Sequence, residues 1–167
     1  DSTGGVYLKV GATDMGQGSD TVLAQMAAEV TGINYDDFRV VSNDTMQTPD
    51  GGVTTASRQT YISGHAVIGA AEKFKKIFAD CISKIYGLKE GDYSFIQGGI
   101  EPVGEKLSIA NNSTKGIISF GEIAGAAEKE SIKLKVEHMY TAPTTYSLRD
   151  RADHEPGVPL EKYDIHF

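Results

Sequence analysis

The sequence has 167 residues, 40% hydrophobic and 23% charged, a balance ordinary for a soluble globular protein. A chain of this length holds one domain and buries roughly two-thirds of the surface its unfolded form exposes, so its core needs no staples. The formal net charge of −7 argues against a nucleic acid or anionic membrane held by bulk electrostatics, and an anionic ligand must therefore be held by a local set of donors.

In chain order, Val6, Leu8 and Val10 alternate with Tyr7 and Lys9, the period of a half-buried strand. Val22, Leu23, Met26, Ala27 and Val30 then share a helical face, with Ser19 and Asp20 placed for the cap and first turn. Gly32 suits the left-handed stop of that helix. Phe38–Val41 reads as a second strand, which predicts a βαβ unit. The stretch SNDTMQTPDGGVTTAS, residues 42–57, is a loop about as long as compact domains contain, and such loops are functional or disordered. It runs directly into the strongest helical pattern of the chain, Val67, Ala71, Phe74, Ile77, Phe78, Cys81, Ile82 and Ile85, which argues for function; Gly87 ends that helix.

The remainder predicts short strands at Tyr93–Ile96, Ile100–Val103 and Lys106–Ile109, a short helix at Phe120–Ala127 and a strand at Ile132–Met139. Extended, irregular chain follows from Thr141. The expected fold class is α/β (mixed α+β): two strand–helix units with a long second helix and added short β-hairpins. One domain over residues 1–167 is expected, and both ends read as cut from something longer.

Cys81 is the single cysteine; it excludes an internal disulfide and a cysteine-rich metal site, and suits a reducing compartment. No apolar run approaches the roughly 20 residues that span a bilayer, and no charged-then-apolar leader opens the chain. The acceptor patterns at Asn111 and Asn112 are of a kind common by chance. The expected location is cytoplasmic.

Two segments bring polar groups to a helix entrance. In Met15-Gly16-Gln17-Gly18 the glycines permit close backbone approach and the amide of Gln17 both donates and accepts. Gly-x-Gly is a weak signal, and on pattern alone a plain strand-to-helix turn with an exposed glutamine is the simpler explanation. In Gly51-Gly52-Val53-Thr54-Thr55-Ala56-Ser57-Arg58-Gln59-Thr60, hydroxyls, a guanidinium and an amide suit a phosphate or another oxyanion. Hydroxyls bonded to their own backbone are the alternative. The presence of two such segments in one domain strengthens both.

Known nucleotide motifs are absent: Thr21 stands where Gly-x-Gly-x-x-Gly needs its last glycine, and there is no Gly-Lys-Ser/Thr loop. His65, His138, His154 and His166 lack metal-ligand spacing, and His65 reads as a packed or exposed histidine. Ser57 has no evident base. Asp14 and Asp50 read as turn and cap residues, and with Asp44 they lie beside the two segments.

The run G-A-T-D-M-G-Q-G-S-D-T, followed by D-G-G-V-T-T-A-S-R-Q-T-Y-I-S-G-H-A-V, resembles the molybdenum-binding subunit of the xanthine dehydrogenase/aldehyde oxidase family. Ala142-Pro143-Thr144-Thr145 and the closing Tyr163-Asp164-Ile165-His166-Phe167 are similar to it too. The resemblance implies part of a molybdenum hydroxylase, an oxidoreductase that hydroxylates purine, N-heteroaromatic or aldehyde carbon with oxygen from water. It implies that Met15, Gly16, Gln17 and Gly18 lie against a molybdopterin cofactor. It further implies that Thr54, Thr55, Ala56, Ser57, Arg58 and Gln59 carry phosphate and pterin contacts. The cofactor form expected in bacterial members is the cytosine dinucleotide, with iron–sulfur clusters and FAD on partner subunits or domains. The partners implied are the rest of the molybdenum subunit, those redox subunits and a small-molecule substrate.

The family's catalytic glutamate, in a Gly-Glu-x-Pro-type segment, has no match at Gly104-Glu105 or Gly121-Glu122, and its Phe-Gly-Gly-type segment is missing. No catalytic or metal-ligating residue is assigned, and the chain alone is expected to be inactive. The rival readings are a non-catalytic interface or assembly domain and a different nucleotide-cofactor oxidoreductase. The latter is disfavoured by the missing glycine-rich fingerprint.

Overall fold

The computed structural model describes residues 5–55, 58–104 and 116–143. The expected βαβ unit is present. Strand β1 (Val6–Lys9) leads to helix α1 (Ser19–Thr31), and strand β2 (Phe38–Val41) returns parallel to β1 with Val6 opposite Phe38 and Lys9 opposite Val41. A π-helical turn (Gln59–Ser63) opens the long helix α2 (Gly64–Tyr86). Strands β3 (Tyr93–Ile96), β4 (Gly99–Pro102) and β5 (Ile118–Ser119) form an antiparallel sheet, and helix α3 (Phe120–Lys129) follows. The result is a mixed α/β fold in which Gly32 and Gly87 end their helices in left-handed conformation, as their positions predict.

Helix α2 joins two cores. Its first half packs Val67 against Val10, Leu23 and Ala27, which seats α1 and α2 on the parallel pair. Its second half packs Phe78, Cys81 and Ile82 against Ile100, Phe120 and Ile123. Burial among apolar side chains raises the pKa of the Cys81 thiol, so it is an inert core group rather than a reactive one.

Four details differ from the sequence expectation. The N-cap of α1 is Gly18, in left-handed conformation and without a side-chain bond, while Ser19 lies buried inside the first turn. The buried face of α1 runs through Leu23, Ala24, Ala27 and Thr31 and leaves Val22 exposed. Small residues on that face let α1 sit close to α2, which periodicity of large apolar residues does not reveal.

Ile132–Met139 forms no ladder among the described residues. Its alternation is real, because Ile132, Leu134 and Val136 are half-buried while Lys133, Lys135 and Glu137 are exposed. Ile132 and Leu134 rest on the second core. The period reports one covered face rather than a sheet neighbour. Further along, the ring of His138 lies over Gly69 of α2, where a Cβ would collide with it.

Strand β5 was not expected, since two residues carry no legible period. It needs Gly99 opposite Ser119, because a Cβ at Gly99 would run into the carbonyl of Ile118. The expected strand at Lys106–Ile109 lies outside the described residues, as do Thr144, Thr145 and Tyr163–Phe167.

Candidate functional site

The two segments singled out by sequence meet. The backbone of Gly11 lies so close to Pro49 and Gly51 that a Cβ at Gly11 would strike the carbonyl oxygen of Pro49 and the amide of Gly51. The amide of Thr13 donates to Oγ1 of Thr54 at 3.2 Å. Gln17 Nε2 donates to Oε1 of Gln59, across 42 positions of sequence. The loop after β1 and the loop before α2 are thus one surface, built where the strand ends and the helix mouths converge.

Within the first loop most polar groups are already engaged. Asp14 accepts from the amide of Gly16 at 2.8 Å and of Asp20 at 3.2 Å. Those amides, Gly16 first and Asp20 second, hold its carboxyl below the ordinary value of 3.8. Asp14 is therefore the cap of α1 supplied from the preceding turn, which agrees with its reading as a turn and cap residue. The positive helix entrance is occupied by the protein's own carboxylate, so a free phosphate is disfavoured there. Oε1 of Gln17 accepts from the amide of Met15 at 2.6 Å.

Gly16 and Gly18 have φ of 102° and 75°, and nothing stands within 4 Å of where a Cβ on either would project. They leave open backbone against which a flat group can lie. Beside them Met15 is 72% exposed.

The second loop is folded by its own charges. Asp50 accepts from the amide of Gly52 at 2.8 Å. Nη1 of Arg58 donates to the carbonyls of Gly51 and Val53, each at 2.9 Å. Arg58 thus serves as a loop brace, a role that the count of cations in the sequence does not distinguish from phosphate binding. Gln59 is buried, 7% exposed, and turned toward the first loop rather than outward. Thr54 is half-buried and Thr55 exposed; Ala56 and Ser57 lie outside the described residues. Asp44 bonds the amide of Met46 at 2.9 Å and serves its own turn.

His65 is exposed at the surface of α2 and held by its neighbours. Its Nδ1 lies 2.7 Å from the carbonyl of Tyr61, and its ring stacks on Tyr140 at 4.6 Å. Sequence reasoning missed the Ser42–Asp20 bond of 2.9 Å, which ties the end of β2 to the first turn of α1. Oδ1 of Asp20 is buried with no hydrogen-bond partner among the described residues. A serine directly after the second strand of a βαβ unit, opposite an acidic first turn, is the signal that points to it.

Residues 1–162 match the family described as molybdopterin cofactor-binding domain. The chain belongs to that family. The molybdopterin-binding domain is 43% identical over 74 residues to the xanthine dehydrogenase molybdenum-binding subunit of Escherichia coli O157:H7, covering 44% of this chain and 10% of that protein. It is 36% identical over 169 residues to the 6-hydroxypseudooxynicotine dehydrogenase complex subunit gamma of Paenarthrobacter nicotinovorans, covering 97% of this chain and 19% of that protein. Among solved structures, the Cu,Mo-CO dehydrogenase in its carbon monoxide reduced state superposes with a TM-score of 0.56 at 25% identity, over 83% of this chain and 16% of that one. Quinoline 2-oxidoreductase from Pseudomonas putida 86 gives 0.57 at 21% identity over 84% of this chain and 17% of that one, which speaks to the fold alone. The domain therefore spans between a tenth and a fifth of the length of these curated relatives.

The residues present fit a molybdopterin. The open backbone of Gly16 and Gly18 admits a flat, polar heterocycle, and the hydroxyls of Thr54 and Thr55 can donate to a phosphate. No helix of the described residues is long and apolar enough to cross a membrane.

Proposed function

We propose that the domain supplies one wall of the cofactor site in a larger molybdenum subunit, which hydroxylates purine, other N-heteroaromatic or aldehyde carbon with oxygen from water. The observation that carries this reading is the junction of the two loops at Gly11–Gly51, Thr13–Thr54 and Gln17–Gln59. A cofactor laid across that junction touches both. Met15, Gly16, Gln17 and Gly18 take the pterin side, and Thr54, Thr55, Ala56 and Ser57 take the phosphate side. Arg58 and Gln59 shape that surface, Arg58 by bracing the second loop through Nη1 and Gln59 by pairing with Gln17.

When bound, the group supplies the redox centre for a two-electron oxidation of the substrate carbon. This chain's residues bind and orient it. The catalytic base and the redox partners carrying iron–sulfur clusters and FAD lie in other parts of a cytoplasmic assembly, with the cofactor as its cytosine dinucleotide. The 167-residue chain alone is then without hydroxylase activity.

The test is Ser57→Asp in a full-length subunit carrying this domain. A carboxylate placed among phosphate-binding hydroxyls repels the ligand, and molybdenum content per subunit falls at least about tenfold, the effect of roughly 1.4 kcal/mol. Normal molybdenum content in that variant overturns the reading.

A further inference from the structure

We propose that Gln59 is a positioning residue, which acts by fixing the carboxamide of Gln17 in one orientation and thereby locks the two cofactor loops together. The proposal rests on the reading of these loops as one cofactor wall.

A carboxamide has two chemically opposite ends that fit the same volume, so its orientation is set by its neighbours. Around the amino end of Gln17 stand three acceptors: the carbonyl of Thr13 at 3.0 Å, Oγ of Ser19 at 3.3 Å and Oε1 of Gln59. Its oxygen accepts from the amide of Met15. Reversed, the oxygen of Gln17 would face two oxygens that cannot donate, the Thr13 carbonyl and Gln59 Oε1, and the Met15 amide would face a donor. Gln59 is itself held against reversal, because its Nε2 donates to the same Thr13 carbonyl at 3.4 Å. That carbonyl orients both amides.

The backbone places Gln59 for this task. The buried stripe at the start of α2 runs through Gly64, Val67 and Ala71. One α-helical turn before Gly64 the stripe would fall on Thr60, which is exposed. The π-helical turn adds one residue and brings Gln59 onto the stripe instead, facing the first loop. Such turns recur at functional sites. Gln59 is only 7% exposed, so losing the pairing with Gln17 would leave a polar group in a largely buried place, which favours the pairing. With Gln17 fixed, the Met15 amide is drawn inward and the Met15 side chain and Gly16 face out.

A double-mutant cycle on the full-length subunit tests this, using Gln59→Met, Gln17→Ala and the pair, with bound molybdenum per subunit as the readout. Each single change is expected to lower it about fivefold to tenfold, the scale of one lost buried hydrogen bond. The double variant is expected to be no worse than either single, because Gln59 acts through Gln17. Multiplying losses, or full cofactor in Gln59→Met beside a loss in Gln17→Ala, overturn the inference. If neither single change lowers the cofactor, the cofactor-wall reading fails. The positioning role is then decided in the 167-residue protein by the side-chain amide NMR signal of Gln17. It moves to the free-amide position in Gln59→Met if the inference holds, and an unmoved signal contradicts it.

Discussion

Asp14 directs its charge at its own chain. The amides of Gly16 and Asp20 stabilise its ionised form and lower its pKa from 3.8. The folded protein thus binds this proton less readily than the unfolded chain, so the stabilisation is complete above the unfolded value and is lost as pH falls through the folded one. Asp14→Asn keeps one acceptor and removes the charge, and is expected to flatten the loss of stability below about pH 3.8. Urea midpoints measured across acid pH check this; identical pH slopes in the two proteins would refute it. The capping role of Asp14 was legible from its place in a polar turn. The roles of Arg58 and Gln59 were not, because a side chain's direction at a loop base depends on how the backbone enters the helix. A π-helical turn leaves no trace in apolar periodicity.

At the scale of elements, α1, α2 and α3 were legible because each repeats apolar residues at helical spacing, and α1 and α2 also end at a glycine stop. Helix α3 begins with a capping box. Oγ of Ser119 accepts from the amide of Glu122 at 3.2 Å, and the Glu122 carboxylate accepts from the amide of Ser119 at 2.8 Å. Ser119→Ala is expected to cost about 1 kcal/mol in chemical denaturation; a change below about 0.3 kcal/mol would show that the second core, not the cap, fixes this helix start. Strand β5 escaped notice because its two residues are set by the close approach of Gly99. Ile132–Met139 has a strand's alternation without a strand's hydrogen bonds among the described residues, since an extended segment with one face on the core shows the same period as a strand in a sheet.

At the scale of the molecule, α2 carries one core at each end, and the βαβ unit at its first end holds both loops. Loop geometry is thereby tied to the most buried parts of the chain, which is how a surface of glycines and short polar residues keeps one shape. Contact between the two loops could be expected from their shared polar character and from the resemblance that puts both on one cofactor; the backbone approach of Gly11 to Pro49 and Gly51 needed the structure.

That approach gives the most direct test of the cofactor wall. In a full-length subunit carrying this domain, Gly11→Ala must force the loops apart, because the added methyl meets backbone atoms of Pro49 and Gly51 that cannot rotate away. Gly125→Ala, in α3 with nothing within 4 Å of the new methyl, is the control. The account predicts that molybdopterin content falls at least about tenfold in Gly11→Ala, an effect of roughly 1.4 kcal/mol, and stays at the parent level in Gly125→Ala. Full cofactor retention in Gly11→Ala would contradict it.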